Sequence, residues 1–357
     1  MSSEQETTSP PAASGTPALA GSGGNGAVSP PGGRPDGSRT GGRLSAAVTN
    51  FSLVFIWIAL IVLFGLLEPD TFLTMDTLRT VLADQAITAI MALALILPIA
   101  ANQFDLSIAG AMGLAIVLVG EFMVKAELAP ALTVILVLAA GVVVGLVNAF
   151  VVVGLKVNSF IATLGTGSIL LAMQQWISGG EVITSGISEA FKNLGRTTIF
   201  TIPTPFFYML AIAAVLWYVL DYRQVGRYLY ATGSNADAAR LAGVRVNRLA
   251  SIALVVSATV ATIAGIIFMM RIGSTSLDAG TPYLLPAFAA AFLGATQFKE
   301  GNVNVPGTLV AVYVLATGVK GVQLMGAPFW VDDLFNGVAL IVAVALAVRS
   351  GRQRSMV

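Results

Sequence analysis

Cysteine and histidine are both absent from the 357 residues. That excludes disulfides, thiolate metal sites, histidine-dependent triads and the usual haem and zinc ligation. Charge is scarce as well: Asp, Glu, Lys and Arg make up 10% of the chain, with 19 basic residues against 18 acidic ones. A net charge of +1 provides no field for a polyanion, so nucleic-acid binding is not expected. No Gly-Lys dipeptide occurs, and with it goes the phosphate-cradling P-loop; a chain that used ATP through that motif would need it from another subunit. Arginine ladders and TVGYG-like filters are missing too, which removes voltage sensors and potassium-type pores.

What the chain does have is apolar length. Hydrophobic residues make up 56% of it, and from Phe51 onward they fall into runs matching the roughly 20 residues needed to cross a bilayer. The runs are continuous, without the alternation of a membrane barrel, so they predict helices. The expected fold is an all-α polytopic membrane protein with spans at 51–67, 79–100, 106–124, 130–153, 159–178, 205–221, 249–270, 283–298, 307–325 and 330–348. Both termini then lie on one side. With the N-terminus inside, Arg223, Arg227, Arg240, Arg245, Arg248, Lys299 and Arg349 gather in the cytoplasm, and Arg79, Lys125, Lys192, Arg196 and Arg271 remain outside. This is the orientation that the excess of basic residues on inner loops favours.

Residues 1–43 are dominated by Gly, Pro, Ser, Ala and Thr and read as a disordered cytoplasmic tail, without the basic patch and apolar stretch of a signal peptide. Residues 44–349 form the transmembrane domain and 350–357 a second short tail. The external loop 179–204 is long enough for a small ordered lobe and is a possible docking surface. The cytoplasmic loop 222–248 contains a helix signal: Ser234 as cap, Asp237 reaching back, Ala236 to Ala242 propagating, and Gly243 as stop. Two turns do not stand alone in water, so this helix needs a partner. The stretch DLSIAGAMGLAIVLVG (105–120) is similar to LDAGTPYLLPAFAAAFLG (277–294). Five spans separate them, an odd offset that would make them an inverted-topology pair of the kind that frames a central pathway.

Ionisable groups persist inside a bilayer only where they face a cavity or a partner. Asp84 and Glu121 lie near the outer ends of their helices and can reach the interface. Asp105 stands in a polar break with Asn102, Gln103 and Ser107. Two compatible readings are open there: Asp105 caps the following helix, or the broken tip lines a path for a polyhydroxylated solute. Lys320, between Gly318 and Gly321, can snorkel along its own stem. Thr163, Thr166, Ser168 and Gln174 share one helix and are candidates either for the pathway or for bonds to backbone and neighbouring helices. Gly141 and Gly145, in GVVVG, offer a small-residue packing face.

The segment GRYLYATGSNADAARLAGVRV, Gly226 to Val246, resembles the coupling loop of permease subunits in the ribose, xylose and galactose class of ABC importers. Gly226, Arg227, Tyr230, Ala231, Gly233, Asn235, Ala238, Ala239, Gly243 and Val246 fit its pattern, and Ala242 stands where Ser is usual. FLTMDTL, DLS at 105–107, NSFIATLGTGSIL, DAGTPYLLPAFAAAFLGAT and FNGVALIVAVAL are similar to family segments in the same order. The chain departs from the family at Asn102, Gln103 and Phe104, at Lys299 and Glu300, and at Val319 and Lys320.

The resemblance implies an alternating-access permease of the bacterial cytoplasmic membrane, paired with a second permease copy or paralogue. A periplasmic, extracellular or lipid-anchored binding protein would deliver a sugar-like solute. ATP and Mg would sit on a separate ATP-binding subunit, leaving this chain without cofactor, metal or catalysis of its own. Gly226, Arg227, Tyr230, Gly233, Asn235, Ala238, Ala239, Arg240 and Gly243 would couple it to that ATPase. Asn102, Asp105, Ser107, Thr163, Thr166, Gln174 and Lys320 would line the path. Two further readings are an ion-coupled secondary transporter, with Asp105 and Lys320 as its coupling pair, and a membrane-embedded enzyme, which the missing histidine and the lack of paired intramembrane aspartates argue against.

Overall fold

The computed structural model describes residues 51–299 and 301–354, so the expected tail at 1–43 and residue Glu300 lie outside it. The described chain is helical apart from one two-stranded hairpin. The helices are α1 (Ser52–Leu67), α2 (Met75–Ala100), α3 (Ile108–Gly120, extended to Lys125 by a wider π turn), α4 (Pro130–Ala149, extended likewise to Gly154) and α5 (Ser159–Ser178). There follow α6 (Glu189–Arg196), β1 (Thr198–Ile199), β2 (Ile202–Pro203), α7 (Thr204–Tyr222), α8 (Gln224–Ser234), α9 (Ala236–Leu241), α10 (Val246–Ile272), α11 (Thr281–Gly294), α12 (Val305–Leu324) and α13 (Trp330–Arg354).

Helices occupy all the predicted spans, and among the described residues seven, counting the extensions of α3 and α4, are long and apolar enough to cross a bilayer. This is a multi-pass membrane protein. Start and stop chemistry explains the boundaries. The Thr74 hydroxyl accepts from Thr77 N at 3.2 Å to open α2, the Asn158 side-chain Oδ1 accepts from Phe160 N at 2.9 Å to open α5, and α4 starts on Pro130. Gly179 and Gly273, both at positive φ, end α5 and α10.

Burial sorts the helices into an inner and an outer set. In α2 and α3, 72% and 78% of the apolar window is buried, against 28% in α5. A helix hydrophobic on every face belongs inside, and α2 is fully enclosed from Ala86 through Ile96 apart from slight exposure at Thr88. Its main neighbours are α10, α11, α7 and α12, whereas α10 packs on α4, α3 and α2. The α4–α10 contact uses the expected small-residue face: a Cβ at Gly141 would overlap Thr262, and one at Gly145 would overlap Val255. Residues 179–204 form a small lobe built of α6, β1 and β2. Arg196 of α6 donates from Nε to the Arg271 carbonyl at 2.8 Å, so the lobe covers free carbonyls at the C-terminus of α10.

One span differs in kind from expectation. The predicted span 283–298 is a 14-residue helix, about 21 Å long and too short to cross a hydrocarbon core of about 30 Å. The reason lies in the coil before it. Thr275 N donates to the Ile183 carbonyl at 2.9 Å, near the C-terminal end of α3. Gly280, only five residues on, lies against Ala109 at the beginning of α3, and a Cβ there would strike the Ala109 carbonyl. Segment 273–280 therefore runs inward alongside α3, and α11 begins inside the bundle. Segment 101–107 does the same from the other end. Asn102 and Asp278, both in the left-handed region at φ 55° and 61°, turn the chain at the two discontinuities. Asn and Asp tolerate that conformation better than other side chains.

Candidate functional site

Three places contain the polar chemistry. The first is the end of the bundle bearing α8 and α9. The chain leaves α7 through a corner so tight that Gly226 lies against the Leu220 carbonyl, and α8 then runs across the bundle floor with Leu229 buried. The Tyr230 hydroxyl donates to the Val303 carbonyl at 2.8 Å. Burial, with Asp221 nearby, pushes that hydroxyl up to about 12, so it remains a protonated donor at every physiological pH. Lys299 pairs with Asp221 and stands 5.7 Å from the Tyr230 ring centre. Gly233 lies against the Ala100 carbonyl, within 3.3 Å of Asn102 N for a Cβ built there. One helix thus touches both segment 101–107 and the turn ahead of α12.

The short helix beyond it is capped by Asn235, not by Ser234. The Asn235 side chain accepts from Asp237 N at 3.1 Å and from Ala238 N at 2.9 Å. Ser234 is instead the last residue of α8, and Asp237 pairs with Arg240 at 2.9 Å rather than reaching back. The correction has a simple cause: α8 continues to Ser234, so the break and its capping side chain both fall one residue later. Ala239 packs inward, while Ala238, Arg240, Arg227 and Leu241 are exposed, Leu241 at 92%. Gly243 at φ 84° ends the element as expected.

The second place is segment 101–107 itself. Its backbone is held by α5: Phe104 N donates to the Ser159 hydroxyl at 3.0 Å and Leu106 N to Thr163 Oγ1 at 3.0 Å. Asp105, fully buried, accepts from both Ser107 N at 3.0 Å and Ser107 Oγ at 2.6 Å. Asn148 Nδ2 then donates to Ser107 Oγ at 2.7 Å. Asp105 Oδ2, Asn148 Oδ1 and the Ser257 hydroxyl have no hydrogen-bond partner among the described residues.

The third place is a cavity of about 460 Å³ between α2, α11, α12 and α13. It opens at the end of the bundle bearing α6. Gln85 and Thr88 face it from α2, Tyr283 from the first turn of α11, Lys320 and Gln323 from α12, and Asp332, Asp333 and Asn336 from α13. At its rim Arg271 pairs with Asp84, and Gln323 Nε2 donates to Asp332 at 2.6 Å.

Residues 77–344 match the protein family described as "Branched-chain amino acid transport system / permease component". The chain belongs to this permease family. Among its relatives, the ribose import permease protein RbsC of Haemophilus influenzae is 30% identical over 85% of this chain and 93% of its own length. The fructose import permease protein FrcC of Rhizobium meliloti is 32% identical over 84% of each chain. The autoinducer 2 import system permease protein LsrD of Photorhabdus temperata is 28% identical over 83% of this chain and 90% of its own. No solved structure matches the permease.

The nine coupling candidates of this permease come together on α8 and α9 and the turns around them. The pathway candidates separate. Thr163 and Thr166 donate to the Ser159 and Ala162 carbonyls at 2.7 and 3.0 Å, and Gln174 Nε2 donates to the Gly110 carbonyl at 3.2 Å. Thr163 holds segment 101–107 to α5 and Gln174 ties α3 to α5, whereas the Thr166 bond stays within α5 and Ser107 reaches Asn148 of α4; none of them borders the two cavities that Lys320 lines. Asn102 is exposed beside α8. Lys320 alone of that set lines the polar cavity, its stem bordering an apolar groove toward Trp57 and Tyr313. The Asp332–Asp333 pair and Gln85 carried no motif, and only the fold brings them opposite Lys320.

Proposed function

We propose that this permease is the membrane subunit of an ATP-driven importer for a sugar or sugar-like solute. In this reading α8 and α9 lie at the cytoplasmic face and dock on a separate ATP-binding subunit that holds the nucleotide and Mg. A solute-binding protein hands cargo to the opposite face, and two permease copies, or a copy and a paralogue, work together. The observation that carries the reading is the construction of α9. It is a capped helix of little more than one turn whose exposed face has Ala238, Arg240 and Leu241, backed by a helix that touches segment 101–107. So short a helix with an exposed Leu needs a partner surface. Alternating access also requires that a push at one end reach the elements that interrupt the path, because only interactions that differ between two states can shift them.

The ion-coupled alternative loses its proposed pair. Asp105 is sealed among α4, α5 and α10, while Lys320 borders cavities that Asp105 does not line. Reconstitution with candidate ATPase and binding-protein partners tests the choice: labelled ribose should accumulate only with ATP and only when all components are present. Uptake that survives removal of the ATPase would establish the secondary transporter instead. Proline at Ala239 removes a helix N–H and clashes with the preceding turn, so Ala239→Pro should abolish solute-stimulated ATP hydrolysis while membrane insertion continues. Normal stimulation in that variant would remove α9 from the coupling path.

A further inference from the structure

A cavity of about 400 Å³ lies between α8, the turn after α9 and the first turns of α10. Val225 and Tyr228 line it from α8, and Arg245, Arg248, Leu249 and Ile252 line it from the start of α10. These last four recur at helical spacing, so the wall passes from two guanidiniums to aliphatic side chains within about two turns. Depth determines what lies outside. Arg248 immediately precedes the apolar run that enters the bilayer, and Ile252, one turn further in, is 41% exposed. At the end of α7 that leads into α8, Trp217, Tyr218 and Tyr222 are exposed, and Arg223 stands 4.9 Å from the Tyr218 ring centre. Such a belt of aromatic and basic residues marks a membrane interface.

The positive charge is not met from within the chain. Neither Arg245 nor Arg248 forms an ion pair among the described residues, and no Asp or Glu among them lines the cavity. α10 has no acid in its first turn and no side-chain cap. The two guanidiniums therefore sit against the positive end of a helix dipole, a repulsion that an anion relieves.

We propose that this cavity holds an anionic phospholipid of the inner leaflet, its phosphate on Arg245 and Arg248 and its acyl chains along Leu249 and Ile252. Basic pockets between helices on the cytoplasmic side suit such head groups. A docked protein would meet the guanidiniums but would not follow the aliphatic wall below the interface. The lipid bridges α8 and α10, the two helices that flank α9. The inference rests on the cytoplasmic placement of this end in the importer reading, and it adds a partner that reading does not require.

The chain contains no cysteine, so Ile252→Cys takes a single bimane label in the otherwise native full-length permease. Val215→Cys, on α7 and 62% exposed, gives a control about as far from the inner end of its own helix. Each is placed in phosphatidylcholine nanodiscs containing increasing amounts of phosphatidylglycerol or phosphatidylcholine with a nitroxide on the acyl chain, and quenching is measured. At Ile252, half-quenching should need about five- to thirtyfold less of the phosphatidylglycerol, the attraction of one to two arginines for an anionic lipid. At Val215 the two lipids should quench alike. Arg245→Gln combined with Arg248→Gln should remove the preference at Ile252 and leave quenching at Val215 unchanged, and Lys at both positions should retain the preference. Equal quenching by the two lipids at Ile252, the same preference at Val215, a preference that survives the double Gln variant, or no quenching at Ile252 would each overturn the proposal. So would loss of that quenching when a candidate ATP-binding subunit is added, which would give the surface to the protein partner. Uptake without the ATPase would instead overturn the importer reading and leave the lipid result standing.

Discussion

Gly233→Leu should leave the permease in the membrane and reduce ATP-driven uptake between about fivefold and about 150-fold, the factor that about 1–3 kcal/mol of overpacking corresponds to. At this position a Cβ already overlaps the Ala100 carbonyl, so a larger side chain must lift the end of α8 from the end of α2. The cost is local to the contact that joins the docking helix to segment 101–107. Two readouts separate uncoupling from misfolding. The partner's basal ATP hydrolysis should persist when the variant is present, and its stimulation by solute should be lost. Ser234→Leu, one residue on and exposed, adds the same bulk without the contact and should transport close to normally. If the two variants behave alike, α8 is not the element that carries the push.

Tyr230 makes the matching contact on the other side of α8. Its bond to the Val303 carbonyl ties α8 to the turn before α12, and Asn304 in that turn donates to the Gly294 carbonyl at 3.2 Å, at the end of α11. α8 therefore touches segment 101–107, ahead of α3, through Gly233, and reaches the end of the short helix α11 through Tyr230 and the turn at Asn304. Packing is repeated in the same sense: α2 contacts α11 and α12, and α10 contacts α3 and α4. An exchanged pair of inverted copies, with α2 equivalent to α10 and α3 to α11, would pack in this way.

The helices were legible in the sequence because apolar runs bounded by Asn, Pro, Gly and Arg leave little choice of where a span begins. Depth was not legible. Segment 273–280, GSTSLDAG, is polar and reads as an ordinary loop, so composition could not reveal that it runs inward and that α11 starts inside the bundle. The Thr163, Thr166 and Gln174 positions show a related limit. A hydroxyl in a membrane helix serves its own backbone as readily as a solute, and here the facing carbonyls lie one turn back. Lys320 stands out in the sequence because a lone ammonium in a span is costly. Asp332 and Asp333, at the start of the last span, belong to no motif that would mark them.

Asp105 separates a structural from an electrostatic role most sharply. Its Oδ1 accepts both the Ser107 amide and the Ser107 hydroxyl, and the same hydroxyl accepts from Asn148. Asp105→Ala would strand two buried donors at the start of α3, each at a cost of about 1–3 kcal/mol. Thermal unfolding in detergent should register a large loss of stability, with transport lost alongside. Asp105→Asn keeps the accepting oxygen and replaces Oδ2, which has no hydrogen-bond partner among the described residues, with an uncharged amide. If Asp105 only fastens the discontinuity, the Asn variant should match or exceed the native melting temperature and retain transport. If the negative charge itself matters to transport, uptake should fall while the melting temperature holds, and that outcome would return Asp105 to the translocation path.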